Sequence, residues 1–450
     1  MSGSKAALLD GPILPTLARL TLPNFAAMFV STLVAICETA YVGQLGTAAL
    51  AGLALVFPLV MLMQMMSGGA MGGGVSSAVS RALGAGDQAR AEALALHAVI
   101  IGAVAGLAFT ALFLVYGRDI LMALGGRGEA LAEGTAFANV VFLGATGIWL
   151  TNTLASILRG SGNMKTPSLV LFCMSIAQIL LGYILGLGFG PVPRLGMMGV
   201  ALAAVIAFVG GTLVFLWVLS SRHAAVRLSF DRSLLSGEMF RDILKVGAFA
   251  CASPLMSVGC ILILTAIVAR FGTEALAGYG IGSRLEFLLI PITFAIGVAS
   301  VPMVGMAIGA GNVPRARRAA WTAGLLAAVL MGAIGLVVAV NPDWWGRLFT
   351  TDAAVLETAR QYFAAAGPAY FFYGLGLCLY FASQGSGRML GPVLAQAVRF
   401  LIIAIGGWWL VRENAPLWHL FVLIGIGLVA YGLATALGLR LSRWGSEPAR

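Results

Sequence analysis

The chain has 450 residues, of which 60% are hydrophobic and only 10% charged, with a formal net charge of +10 and a mean hydropathy of +0.98. That balance excludes a soluble globular domain, and the spread of the basic residues through short clusters between apolar stretches argues against a nucleic-acid-binding surface. Cys37, Cys173, Cys251, Cys260 and Cys378 fall inside predicted helices with no paired spacing, so neither a disulfide framework nor a metal site is indicated.

In chain order, apolar stretches long enough to cross a hydrocarbon core are predicted at 16–43, 48–75, 91–117, 134–158, 166–190, 196–220, 245–270, 275–302, 317–341, 358–383, 390–411 and 417–441. They are apolar all round rather than alternating, which rules out a β-barrel and leaves an all-α integral membrane protein of twelve transmembrane helices. The residues before the first span are polar or mixed and show no cleavage site, so that span is expected to stay in the protein. Most of the 27 Lys and Arg fall on one side of this scheme. The positive-inside bias makes that side cytoplasmic, with both termini on it and a basic face toward anionic lipid headgroups. The excess of Arg over Lys, with abundant Ala and Gly, points to a GC-rich bacterial source and hence to the cytoplasmic (inner) membrane.

Duplication organises the chain. Residues 81–90 (RALGAGDQAR) return as 306–315 (MAIGAGNVPR), and 159–167 (RGSGNMKTP) return as 384–392 (QGSGRMLGP), each 225 residues on. A third echo links 45–52 (LGTAALAG) to 271–278 (FGTEALAG). Three echoes in one order give an N-lobe at 1–220, a cytoplasmic linker at 221–244 and a C-lobe at 245–450 that ends in a short cytoplasmic tail. An even number of spans per lobe makes the repeat parallel, with substrate expected at or near the interface of the halves.

Ionisable side chains inside spans are costly and form the shortest list of functional candidates. Glu38 is alone in its lobe, which suits it to taking up and releasing a proton; a permanently protonated acid in an interhelical hydrogen bond is the structural alternative. Asn152, Ser175, Gln178 and Tyr183 are candidates for its surroundings by type and depth. Pro23, fifteen residues earlier in the same helix, removes a backbone hydrogen bond and favours a kink, making it the gating candidate. In the C-lobe, Arg284, Glu286 and Arg399 can form one network. Residues two apart on a helix do not face each other, so a Glu286–Arg399 pair is expected in place of Arg284–Glu286, serving either lobe stability or substrate. Met61, Met63, Met65, Met66 and Met71, with Phe57, offer an adaptable apolar surface for varied ligands, although ordinary packing explains such a run as well. Tyr370, Tyr373 and Tyr380 are ambiguous in the same way. Gly186–Gly190 lacks the preceding strand of a phosphate loop, Gly278-Tyr-Gly280 lies in a full-length span and not in a pore loop, and no Ser/His/Asp set stands inside the membrane. An enzyme is not expected.

Pro23, the run from Glu38 to Gly46 (ETAYVGQLG) and the paired Gly-Ala-Gly loops at 84–86 and 309–311 resemble the multidrug and toxic compound extrusion (MATE) transporters over nearly the whole chain. The resemblance implies two six-helix lobes in a V, alternating access, no cofactor, and antiport of small organic, often cationic, compounds against H⁺ or Na⁺. Prokaryotic members usually carry Asp where Glu38 stands. One branch has acids in the seventh and tenth spans, and these spans carry none here. Glu286 matches the eighth-span acid of many members. A lone carboxylate offers few hard oxygens, so H⁺ is expected as coupling ion, with Na⁺ at Glu38 the alternative, and a monomer is expected. The other readings are a lipid-linked oligosaccharide flippase of the same superfamily and a non-transporting membrane receptor or scaffold.

Overall fold

A computed structural model describes residues 8–222, 224–229 and 235–444. The first seven residues, linker positions 223 and 230–234, and tail positions 445–450 lie outside the described residues. Helices run as α1 Ile13–Leu45, α2 Thr47–Gly84, α3 Gln88–Ala123, α4 Gly128–Leu143, α5 Ala145–Gly160, α6 Lys165–Leu187, α7 Gly196–Ser220, α8 Gly237–Phe271, α9 Thr273–Gly309 and α10 Val313–Val340. After the short α11 (Pro342–Gly346) come α12 Ala353–Ala366, α13 Tyr370–Ser386, α14 Leu390–Arg412 and α15 Leu417–Leu441. Ten of these elements are long and apolar enough to cross a membrane, or up to twelve spans if the bent pairs α4–α5 and α12–α13 each count as one.

The sequence echoes mark turns that only glycine makes easily. Gly86 (φ 81°) and Gly311 (φ 74°) end α2 and α9 in the left-handed region, as Gly162 (φ 83°) and Gly387 (φ 76°) end α5 and α13. Beyond each, the chain folds back to bond a carbonyl of the last turn: Asp87 N to Ala82 O at 3.0 Å, Asn312 N to Ala307 O at 2.8 Å, Asn163 N to Leu158 O at 3.1 Å and Arg388 N to Ser383 O at 3.2 Å. The Asp87 and Asn312 side chains then cap the next helix by accepting from the backbone N–H of Arg90 (2.9 Å) and Arg315 (3.0 Å).

Three span expectations are revised. The second helix runs on to Gly84 through a π-helical turn at Met65–Met71. The fourth and tenth spans, each read as one span at 134–158 and 358–383, are bent by 48° between α4 and α5 and by 58° between α12 and α13. Gly144 ends α4, and Gly367 and Pro368 fall in the second break, where proline has no N–H to continue a helix. Hydropathy records only that a stretch is apolar, so these changes of direction leave no trace in it.

The described residues divide into two compact units, one from Leu22 to Gly247 and the other from Ala248 to Trp444 together with residues 8–21. The start of α1 thus groups with the second unit, whereas the sequence reading kept 1–220 together. Arg315 explains the difference: its guanidinium donates to Leu8 O (3.0 Å) and Gly11 O (2.6 Å). The linker expected at 221–244 also ends early, because α8 begins at Gly237. Its first turns are fastened within the first unit. Asp242 accepts from Arg81 (2.7 Å) and Arg90 (3.3 Å), Arg81 also donates to Ser77, and His97 Nε2 accepts the Ser236 N–H at 3.0 Å.

Asp242 serves two guanidiniums and keeps 28% of its side-chain surface exposed, whereas Glu238, on Arg90 alone, keeps 69%. Asp242→Ala should therefore destabilise the protein by about 1–3 kcal/mol and Glu238→Ala by less than about 1 kcal/mol. Thermal unfolding of both variants in detergent measures this, and equal losses would refute the ranking.

Candidate functional site

In the first unit, polar residues seven apart on α1 meet α6. Asn24 Oδ1 accepts from Ser168 Oγ at 3.0 Å, while its amide approaches Met164 Sδ at 3.4 Å. The Ser31 and Ser175 hydroxyls lie 3.3 Å apart. Glu38 Oε1 accepts from Gln178 Nε2 at 2.7 Å. Seven residues are nearly two helical turns, so Asn24, Ser31 and Glu38 share one face of α1. Elsewhere that helix is largely apolar. Polar rungs thus join it to α6. Glu38, the uppermost rung, is half-buried.

Of the four residues expected around Glu38, the structure brings only Gln178 into contact. Ser175 pairs with Ser31. Tyr183 lies edge-on to Tyr41, with ring centroids 5.9 Å apart. Asn152 joins a separate cluster in which its Nδ2 donates to Gln64 Oε1 (3.0 Å) and Ser67 Oγ (2.8 Å) across the π-helical turn of α2. Turns of this kind insert a residue, disturb the regular backbone ladder and recur at functional sites. The methionine run divides there: Met63 and Met71 are buried in the core, while Met61 and Met65 stay half-buried. Sequence reasoning missed Asn24, Ser31, Gln64 and Ser67. The seven-residue polar spacing on an apolar helix was the available signal for the first two, and polar residues flanking a methionine run for the others.

In the second unit the expected Glu286–Arg399 ion pair does not form; each has an aromatic partner. Glu286 accepts a hydrogen bond from the Tyr362 hydroxyl. Arg399 places its guanidinium carbon 5.1 Å from the centroid of Tyr373. Arg284 is exposed, 5.2 Å from the centroid of Phe349, and does not join them. Tyr362 is held edge-on by Tyr279 and Phe421 at 5.8 and 5.4 Å. These two half-buried charges are thus met by a phenol hydroxyl and an aromatic ring. Tyr370 and Tyr380 are buried, and Tyr380 donates to Ala250 O at 3.2 Å.

The MatE family profile matches residues 23–184 and 250–409, covering both repeats and every rung of the α1–α6 ladder. The chain belongs to the MatE family. It is similar to the FAD transporter of Shewanella oneidensis, at 23% identity over 399 residues, 88% of each chain. It is also similar to the probable multidrug resistance protein NorM of Thermotoga maritima, at 27% identity over 386 residues, 84% of this chain and 81% of that one. The outward-facing conformation of a multidrug resistance MATE family transporter superposes with a TM-score of 0.85 at 25% identity, covering 97% of this chain and 96% of that one. As a MatE protein the chain is a multi-pass membrane transporter and not an enzyme.

The hydrogen bond between Tyr362 and Glu286 should couple energetically. Tyr362→Phe alone leaves a half-buried carboxyl without the Tyr362 donor and should cost about 1–3 kcal/mol. Adding Glu286→Leu should then cost less than Glu286→Leu costs in the wild type. Melting temperatures of the two single variants and the double variant test this, and strictly additive shifts would show that the pair is uncoupled.

Proposed function

We propose that this MatE protein is a secondary exporter of small organic compounds, driven by protons that enter through Glu38 in an alternating-access cycle. The observation that carries the reading is the pairing of Glu38 with Gln178 at the end of a ladder that is otherwise uncharged. An amide N–H donor stabilises the carboxylate form, and weakening of that bond on protonation alters the link between α1 and α6. A proton is preferred to sodium because the contacting group presents a donor to the carboxylate, whereas a hard cation needs a shell of oxygens. Relatives named for multidrug resistance and for FAD transport bracket the cargo as organic and chemically varied. We place the protein as a monomer in a bacterial cytoplasmic membrane, with both termini in the cytoplasm.

Pro23 is the hinge in this scheme. The helix runs unbroken through it, although Pro23 cannot donate to the carbonyl of Arg19, and the boundary between the two units falls between Thr21 and Leu22. Arg284, Glu286 and Arg399 in the second unit, and separately Met61 and Met65 in the first, are proposed contacts for cargo.

In proteoliposomes with an imposed proton gradient, Glu38→Gln should export at background level while reaching wild-type abundance, and Glu38→Asp should retain transport. Export by Glu38→Gln at the wild-type rate would end the proposal. Pro23→Ala restores an N–H donor and should slow transport with folding intact. An unchanged rate together with unchanged cysteine-labelling accessibility over residues 28–38 would remove the hinge.

A further inference from the structure

A charge in the first unit takes no part in the scheme above. Arg159, in the last turn of α5, is 5% exposed, yet no hydrogen bond or ion pair reaches its guanidinium from any described residue, and its Nε is fully enclosed. Burial of an arginine without a partner is among the most costly arrangements in a protein interior. The negative end of the α5 dipole offsets only part of that cost. A second orphan lies on the neighbouring helix, opposite the residue that follows Arg159. The Ser76 Oγ is enclosed and unpartnered, and α2 and α5 touch at this level: a Cβ on Gly160 would lie 2.8 Å from Ser76 O and 3.0 Å from its Cα.

The duplicated half shows that packing does not demand this charge. Gln384 stands 225 residues on, at the same step of the second echo, fully buried in the same helix–glycine turn. A neutral side chain therefore satisfies the fold at this step, and the cation in the first unit answers to something else. We propose that Arg159, with Ser76 as neighbouring donor, is an anion-binding site that takes an oxyanion, a phosphate or carboxylate group. The planar guanidinium fork matches two oxygens of such a group, and a hydroxyl supplies one further donor. The anion supplies the countercharge that no side chain provides. This site is separate from Glu38 and does not depend on proton coupling there.

The test uses purified full-length protein in detergent at fixed ionic strength, with chloride exchanged for inorganic phosphate or for phenyl phosphate. A ligand that binds only the folded state raises its melting temperature in a saturable way, here by about 2–4 °C. Arg159→Gln, which installs the residue of the second repeat, should abolish the rise. A response to inorganic phosphate alone identifies a free ion as the occupant, and a response only to phenyl phosphate identifies the anionic group of an organic compound; either supports the site. If Arg159→Gln yields no folded protein, Arg159→Lys keeps the charge without the fork and should raise the half-saturating concentration roughly tenfold. A wild-type melting temperature indifferent to both phosphates, a full response in Arg159→Gln, or an unchanged half-saturation in Arg159→Lys would overturn the proposal.

Discussion

The hydrocarbon interior supplies no water, so each polar group within it must find a partner inside the protein, and the architecture follows from that constraint. Where helices are interrupted, side chains meet the exposed backbone. At the bend between α4 and α5, Thr110 donates to Phe142 O at 2.7 Å and Thr212 donates to Gly147 O at 3.1 Å. Across the π-helical turn of α2, the Asn152 amide bridges Gln64 and Ser67. Helix ends close on themselves through left-handed glycines. Interruptions satisfied in this way can be kept inside a membrane, and they carry the polar side chains inward.

The same constraint separates the two repeats. Both use the same turns and caps, but they hold charge differently. The second unit dresses its ionisable groups in tyrosines, with Tyr362 on Glu286 and Tyr373 on Arg399. The first unit leaves one acid, Glu38, with a single amide donor, and one guanidinium, Arg159, with none. Duplication fixed the frame, and divergence of a few positions gave one half groups whose charge is balanced by what arrives from outside. Those groups of the first unit are suited to binding protons and anions.

Much of this was legible in the residues. The echoes were readable because left-handed turns require glycine, so duplicated turns remain as duplicated letters long after the apolar faces have diverged. Glu38 stood out because a carboxyl in an apolar span is conspicuous, and Gln178 was found by type. Asn24 and Ser31 escaped because uncharged polar residues attract attention only when their seven-residue spacing from Glu38 is noticed. Pairing Glu286 with Arg399 failed for a related reason. Opposite charge is easy to search for in a sequence, while a phenol hydroxyl arriving from a bent helix is not. The bends of α4–α5 and α12–α13 were invisible because apolar composition carries no direction, and the grouping of the start of α1 with the second unit depends on contacts made by Arg315 some three hundred residues away.

Competition between a proton and cargo at the first unit is open to direct observation in the purified protein. Binding of a cationic dye of established export should be followed in a weakly buffered solution containing a pH indicator. If protonation of Glu38 is what cargo displaces, wild type should release about one proton for each dye bound, and Glu38→Gln should bind dye with no release. Dye binding to wild type without proton release, or equal release from both proteins, would contradict proton coupling at Glu38.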